Sequence, residues 1–328
     1  MSTPHSPPSA PIAQDRMDVT VVVVSYNTRE MTLACLRSIY AQTRDIRFEV
    51  LVVDNDSRDG SARAIAAEFP QVHLIANHRN RGFAVANNQA IRLARGRYVL
   101  LLNSDTVVLA GAIQRCVSYA DSAPSTGVVG CRAEWEDGRF QYTYFRFADL
   151  VGVLTDALLI DRALSHNRSR RGRYWGRVFM EPRDVDVVAG CFFLVRSEVI
   201  AQVGPLDEEF FMYGEEAEWC WRIHQAGWQV CYYPQARIIH HGGASADPLP
   251  AASALSKRKA VLLFLRKTRG PLCGWLANVI MTAGLILRLP AWFGAAFWRA
   301  ARTGGDFTLL RLRLRLVMFH GVGLFCHP

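Results

Sequence analysis

The sequence predicts an α/β protein built on a doubly wound, mostly parallel sheet with helices on both faces. Two observations carry this. First, apolar runs of strand length alternate with helix-length stretches over residues 18–105, the pattern that a parallel sheet with crossover helices requires. Second, three of those runs finish in polar clusters: Ser25-Tyr26-Asn27, Asp54-Asn55-Asp56 and Asn103-Ser104-Asp105. One such cluster reads as a turn, since Asn and Asp are turn formers. Three at successive parallel strand ends face one crevice, and open α/β sheets bind ligands outside the carboxyl ends of their strands.

Taken in order, "DVTVVVVSYN" (18–27) is a continuous apolar run ending in polar residues, as in a central parallel strand. A helix is expected over 29–42, and "FEVLVVDNDS" (48–57) repeats the strand plan. A helix over 60–69, a short strand "VHLIA" (72–76), a helix over 83–95 and a strand "YVLLLNSD" (98–105) come next. Residues 132–184 carry the least pattern, and their arginine-dense part, "RSRRGRYWGR" (168–177), reads as a mobile, solvated loop. Order returns with "DVDVVAGCFFLVRSEVI" (184–200), a strand running into a helix. "WQVCYY" (228–233) and "ARIIHHGG" (236–243) read as two further strand-like runs, the second ending in paired histidines.

Between them lies "FFMYGEEAEWCWR" (210–222), which sets three glutamates among five aromatics. Glu218 and Arg222 are four apart, the spacing of a surface ion pair on a helix worth a few tenths of a kcal/mol. Glu215 and Glu216 fall in the first turn after Gly214, where the helix dipole favours negative charge. That accounts for Glu218 and leaves the adjacent pair, coming after four large apolar or aromatic residues, without a structural reason.

At 328 residues and 50% hydrophobic, the chain can bury one large core or two smaller ones. Residues 1–16 are rich in Pro, Ser and Ala, a disordered lead-in and neither signal nor transit peptide. Eight scattered cysteines without C-x-x-C spacing read as buried free thiols of a reducing compartment, with a structural zinc site as the alternative. The net charge of +9 is uneven: residues 257–316 hold twelve Lys/Arg against Asp306 alone, or +11, which leaves about −2 for the rest. Nucleic acid is the first partner such a tail suggests. Its Leu, Trp and Phe content suits an anionic membrane surface better, so no nucleic acid is expected. The apolar run 271–287 falls short of the roughly 20 residues of a spanning helix, and Arg288 and Pro290 interrupt the stretch after it. The expected organisation is therefore a lead-in (1–16), a catalytic or binding domain (17–250) and a basic, aromatic, helical segment (251–328) lying on the cytoplasmic membrane face.

No G-x-G-x-x-G comes after the first strand, and no G-x-x-x-x-G-K-[ST] occurs anywhere. A nucleotide bound at this crevice would have its diphosphate neutralised by a metal, and Asp105 is a natural hard-oxygen ligand for Mg²⁺ or Mn²⁺.

Six segments, in this order, resemble the inverting glycosyltransferases of family 2 and, within them, the bacterial rhamnosyltransferase branch. They are "VVVVSYN", "VVDNDS", "NHRNRGFAVANNQAI", "LLNSDTVV", "VAGCFFLVRSEVIAQVGPLDEEFFMYGEEAEWCWR" and "IIHHGGAS", spanning about residues 18–245. The resemblance implies a GT-A fold, with a Rossmann-like nucleotide-binding half and an acceptor-binding half. It implies Ser25 and Asn27 against the nucleotide, Asp54 accepting from the pyrimidine N–H, and Arg81 and Asn88 on the ribose or diphosphate side. Asp56 and Asn103 belong to the same donor crevice. Asp105 ends the family's DxD motif, here with asparagine at its first position, so a second metal ligand is wanted; the resemblance offers His240 in preference to His241. The family's acidic pair is Glu215-Glu216, with Glu216 the general base and Glu215 supporting the acceptor site. The family more often has Asp at that second position.

The activity so implied is metal-dependent, inverting transfer from a nucleotide-sugar, dTDP-L-rhamnose from the branch, to a lipid-linked glycan of the cell envelope. Two rivals stand beside it: a nucleotide-sugar-binding membrane protein without catalysis, and a nucleotidyltransferase. The first need not keep Glu216, Asp105 and His240 together, and the second would carry a glycine- and basic-rich loop where this chain has "SYNTREM".

Overall fold

The structure, a computed structural model, describes residues 17–158, 180–242, 250–303 and 314. The lead-in and the arginine-dense stretch 168–177 lie outside the described residues. β1 (Val19–Ser25) is the hub of the sheet. Parallel neighbours flank it, β2 (Phe48–Asp54) from Val19↔Phe48 to Ser25↔Asp54 and β4 (Tyr98–Asn103) from Val19↔Tyr98 to Val24↔Asn103. With both edges paired and both faces covered, its valines from Val19 to Val23 are buried whichever way they point. The shared register sets the three polar strand ends level with one another.

α1 (Arg29–Gln42), α2 (Ser61–Glu68) and α3 (Phe83–Ile91) return the chain between these strands, with β3 (His73–Ala76) outermost. α3 stops short of the expected residue 95, because Leu93 and Ala94 donate to Ala90 and Ile91 in a tightened last turn before Gly96. Then come β5 (Thr106–Val108), α4 (Ala112–Ser122), β6 (Thr126–Glu134), β7 (Phe140–Gln141), β8 (Tyr144–Phe145) and α5 (Leu150–Ala157). After them lie β9 (Arg183–Asp184), β10 (Val187–Val188), β11 (Phe192–Arg196), α6 (Ser197–Val203), α7 (Glu215–Gln225) and β12 (Gln229–His240). The main sheet runs β3-β2-β1-β4-β11-β6-β12-β5. β11 is antiparallel to β4 and β6, and β5 to β12, so six of these eight strands share one direction.

The two strand-like runs expected at 228–233 and 236–243 are one strand. β12 pairs with β6 through Tyr233↔Cys131, resumes at Arg237↔Arg132 and so bulges out three residues, Pro234 to Ala236. Proline has no N–H to give the ladder, which confines it to bulges and edges. Packing also corrects the placing of the Glu218–Arg222 pair. Glu218 is buried, not at the surface, and Arg222 Nε reaches its two oxygens at 2.8 and 3.0 Å while Nη2 donates to the Pro205 carbonyl at 2.7 Å.

Three helices close the described chain: α8 (Pro250–Arg269), α9 (Pro271–Leu287) and α10 (Leu289–Thr303). They share an apolar cluster with the domain before them, in which Phe264 and Leu265 of α8 and Ala277 of α9 meet Val153 and Phe210. α9 has reversed polarity. Its buried residues are mostly small or polar (Gly274, Ala277, Asn278, Thr282, Gly284), with Leu285 the one large apolar side chain among them, while Leu272, Trp275, Leu276, Ile286 and Leu287 face outward.

Candidate active site

The level strand ends open on a cavity of about 550 Å³. β4 and the turn after it supply Asn103, Ser104 and Asp105, β12 supplies His240, and the first turn of α7 supplies Glu215 and Glu216. Tyr26, Asn55, Asn80, Gln141, Tyr142, Tyr213 and Lys257 complete the polar and aromatic wall.

The Asp105–His240 pair is held from behind. Gln141 donates through Nε2 to the His240 carbonyl at 2.8 Å, so its Oε1 faces His240 Nδ1 at 2.7 Å and must accept from it. The imidazole proton is thereby assigned to Nδ1, leaving the Nε2 lone pair 3.3 Å from Asp105 Oδ1. Two acceptors at that distance call for a cation or a proton between them. A ligating histidine whose other nitrogen donates to a fixed acceptor is the usual metal arrangement. Asn103 Nδ2 lies 3.4 Å from the same Nε2. His241 turns elsewhere, its Nδ1 2.9 Å from Glu136. Among the described residues no group of three His, Cys, Asp or Glu side chains converges to hold a metal. A two-ligand site suits Mg²⁺ or Mn²⁺, which take further ligands from water and substrate phosphates.

Across the cavity, α7 starts from two consecutive left-handed residues, Tyr213 at φ +70° and Gly214 at φ +85°. Only the second is a glycine, so the Tyr213 backbone is strained, as is common beside functional sites. Burial, then the neighbouring Glu216 charge, push the Glu215 carboxyl well above the usual carboxylate range. Its Oε2 is buried without a hydrogen-bond partner among the described residues. Burial also raises Glu216, while backbone N–H groups, including that of Gly214 at 3.1 Å, favour its charged form. Burial thus raises both carboxyls of the pair, and the charge of Glu216 further disfavours ionisation of Glu215.

At the nucleotide end, Asp54 accepts from Ser57 N–H at 3.1 Å through Oδ2, while its buried Oδ1 has no partner among the described residues. Asn55 is a hub: its side chain donates to Asn80 Oδ1 at 2.9 Å and accepts from Asn77 Nδ2 at 3.1 Å and Arg81 N–H at 3.0 Å. Ser25 is buried with its hydroxyl 3.0 Å from Thr32, behind the wall. Asn27 is exposed at φ +52° and accepts from Arg58 N–H at 2.8 Å. Asp56 is half-buried at φ +71° and Arg81 is exposed, and neither lines the cavity. Asn88 is turned inward. Its amide donates to the Leu206 carbonyl (2.8 Å) and Glu208 (3.0 Å) and accepts from Leu206 N–H (3.1 Å), tying α3 to the loop before α7. Phe83 N–H donates to the Phe211 carbonyl at 2.7 Å, and Gly82, at φ +85°, leaves room for it, since a Cβ there would lie 2.6 Å from that oxygen.

Asn55, Gln141 and Lys257 are among the wall residues that sequence reasoning did not single out for a role. Asn55 sat within a recognised cluster. Gln141, on a two-residue strand, and Lys257, whose Nζ lies 4.9 Å from the Tyr213 ring centre, carried no sequence signal.

A sheet of this order, with a cavity at its strand ends and a helix closing it from the second half, is the GT-A architecture of glycosyltransferases. The chain belongs to glycosyl transferase family 2, whose profile matches residues 20–204. The solved structures that share the fold include a mannosyltransferase from Pyrobaculum calidifontis in complex with GDP-Man and Mn²⁺. It superposes at TM-score 0.56 and 17% identity, over 96% of this chain and 89% of that one. GalNAc-T7 with UDP, GalNAc and Mn²⁺ also superposes at 0.56, at 14% identity, over 94% of this chain and 55% of that one. Among curated relatives, the N-acetylglucosaminyl-diphospho-decaprenol L-rhamnosyltransferase of Mycobacterium tuberculosis is 27% identical over 267 residues, 75% of this chain and 83% of the relative. The O-antigen biosynthesis protein RfbC of Myxococcus xanthus is 28% identical over 246 residues, 71% of this chain and 18% of the relative.

Proposed function

We propose that this glycosyltransferase moves L-rhamnose from dTDP-L-rhamnose to a hydroxyl of a lipid-linked glycan, with inversion, in cell-envelope polysaccharide synthesis. The observation that carries the reading is the shared cavity: the carboxylate pair of α7 on one side, and the Asp105–His240 pair on the other. The donor sugar and the lipid-linked acceptor are taken from the mycobacterial relative's name.

Glu216 takes the acceptor proton as the acceptor oxygen attacks the anomeric carbon from the face opposite the nucleotide. The bond to the diphosphate breaks with its electron pair on the diphosphate oxygen. Glu215, buried beside it, orients the acceptor. Asp105 and His240 would hold Mg²⁺ or Mn²⁺, and its charge would offset that of the leaving diphosphate. The unpartnered Asp54 Oδ1 accepts from the base N–H, and Ser25, Asn27, Asp56, Arg81, Asn88 and Asn103 shape or line the donor end. Residues 17–250 form the catalytic unit and 251–328 the segment that associates with the cytoplasmic face of the membrane. The outward apolar face of α9 and the excess of basic residues support that association.

The test is a donor screen with the full chain, a panel of nucleotide-sugars, Mn²⁺ and a prenyl-diphosphate-linked N-acetylglucosamine acceptor, reading nucleoside diphosphate release. Transfer from dTDP-L-rhamnose is expected. Transfer from another donor would correct the sugar, and release without acceptor dependence would remove the acceptor.

A further inference from the structure

We infer that α5, a helix inside the glycosyltransferase fold, joins α9 in a single lipid-facing surface that seats at acyl-chain depth without crossing the bilayer. The inference rests on the membrane reading above and adds to it a chain-remote element and a depth.

α5 is apolar on both sides. Val153 faces inward to the cluster shared with α8 and α9. Val151, Leu154 and Leu158, at helical spacing, stand outward at 70%, 44% and 51% exposure. Asp156 on the same helix is also exposed, so the outward apolar set is Val151, Leu154 and Leu158 and not the whole helix; an exposed apolar stripe of this kind is normally covered by protein or lipid. α9 packs directly on it: a Cβ on Gly284 would lie 2.8 Å from Ala157 Cβ, and Arg288 donates to the carbonyls of Asp156 and Ala157 at 2.6 and 2.8 Å. The packed face of α9 includes Asn278 and Thr282, the latter donating back to the Asn278 carbonyl at 2.7 Å. Small and polar residues between helices with large apolar residues outside is the reverse of a water-facing helix and matches packing within lipid.

The covering partner is a lipid surface and not another protein on grounds of charge. By composition the segment from 257 to 316 carries twelve Lys/Arg against one acid, an excess that favours anionic headgroups as the partner. By length and composition the stretch Pro271–Gly294 could cross a membrane. Crossing as a separate helix would strip Asn278 and Thr282 from α5 and α8 and set them in hydrocarbon. α5 itself is anchored by Phe147, which stacks on Phe264 at 5.8 Å and meets Trp221 edge-on at 5.2 Å, so the surface stays with the catalytic fold.

Three single charges in the full-length protein test this: Leu154→Asp on α5, Leu276→Asp on α9, and Leu93→Asp as a control remote from both. Leu154 and Leu93 are matched at 44% and 48% exposure, so any difference is one of location. Partition onto vesicles of mixed neutral and anionic phospholipid is read by flotation at low salt and in 1 M NaCl, with circular dichroism confirming each fold and Leu154→Ser as a milder second variant. Leu154→Asp and Leu276→Asp are each expected to lower partition by about 10-fold or more. Leu93→Asp should match wild type, and part of wild-type binding should survive high salt. Loss with Leu276→Asp but none with either Leu154 variant would remove α5 from the surface and leave the membrane reading intact. Complete release of wild type by salt would overturn the depth. A wild type that ignores vesicles would overturn the membrane reading itself, and a dimer in vesicle-free buffer that Leu154→Asp dissociates would assign the face to a second copy.

Discussion

Gln141→Ala isolates the claim that His240 is a prepared metal ligand. The substitution removes two hydrogen bonds to one residue, the 2.8 Å donation to the His240 carbonyl and the 2.7 Å bond that fixes the proton on Nδ1. Without it the imidazole is free to carry its proton on Nε2 and give it to Asp105 Oδ1, 3.3 Å away. That bond would occupy both ligands at once and compete with the cation. Outer partners of ligating histidines typically contribute about 10- to 100-fold in metal affinity, or roughly 1.4–2.7 kcal/mol. Mn²⁺ titration monitored by electron paramagnetic resonance should therefore show a dissociation constant raised by that factor. Gln141→Glu, which keeps an acceptor, should lose less, and His240→Ala more. A thermal melt guards against a folding effect, since two lost bonds cost about 1–3 kcal/mol of stability. If Gln141→Ala binds Mn²⁺ as wild type does while His240→Ala does not, the tautomer argument is wrong. If neither variant changes Mn²⁺ binding, His240 is not a ligand.

Glu216→Gln should retain dTDP binding by calorimetry and lose about 10²- to 10⁴-fold in turnover, the usual range for a positioned general base. Turnover should also fall as pH drops through the raised Glu216 pKa, since the base must be ionised. Glu215→Gln should stabilise the fold against heat above pH 4.5 and reduce activity. Its folded pKa lies above the unfolded value, so the native state binds the extra proton, and stability from this group is full below 4.5 and declines as pH rises through the folded pKa; equal melting temperatures of variant and wild type at pH 8 would contradict the burial argument. Glu218→Gln should cost about 1–3 kcal/mol in denaturant unfolding because it breaks a buried ion pair, less than the usual cost since Arg222 keeps backbone acceptors. Turnover per folded molecule should be nearly unchanged, and a large kcat loss without destabilisation would move Glu218 into the active site.

The nucleotide-facing half was legible because burial on both faces leaves a strand no choice of residue. Apart from Thr20 and Glu49 near their starts, the runs ending at Ser25, Asp54 and Asn103 stay apolar until they reach the crevice, where polar residues return. β12 was harder, since Pro234 looks like a strand end and is a bulge within one strand. The burial of Glu218 was hidden because i,i+4 spacing is the same on a wet face and a packed one. α5 comes after two-residue strands in a stretch with little periodicity, and its outward residues are apolar, which defeats a pattern that assumes water outside. Gln141 acts through one tertiary contact to a residue 99 positions away, and no local spacing encodes that.

The bulge in β12 also bears on how the chain tolerates changes of length. Beyond it the order is Ile238, Ile239, His240, His241, with Ile238 buried opposite Ala133 and His240 paired with Thr106. Because side chains alternate across a strand, a shift of one residue normally exchanges the faces of everything downstream. Here the doublets blunt that exchange. Removing one residue from the bulge would draw Ile239 into the slot of Ile238 and His241 into the slot of His240, so core and site would each receive the residue type they hold now. The reading frame of this strand is degenerate by one step at the two positions that matter, and a bulge of three residues is where such a step is most easily absorbed.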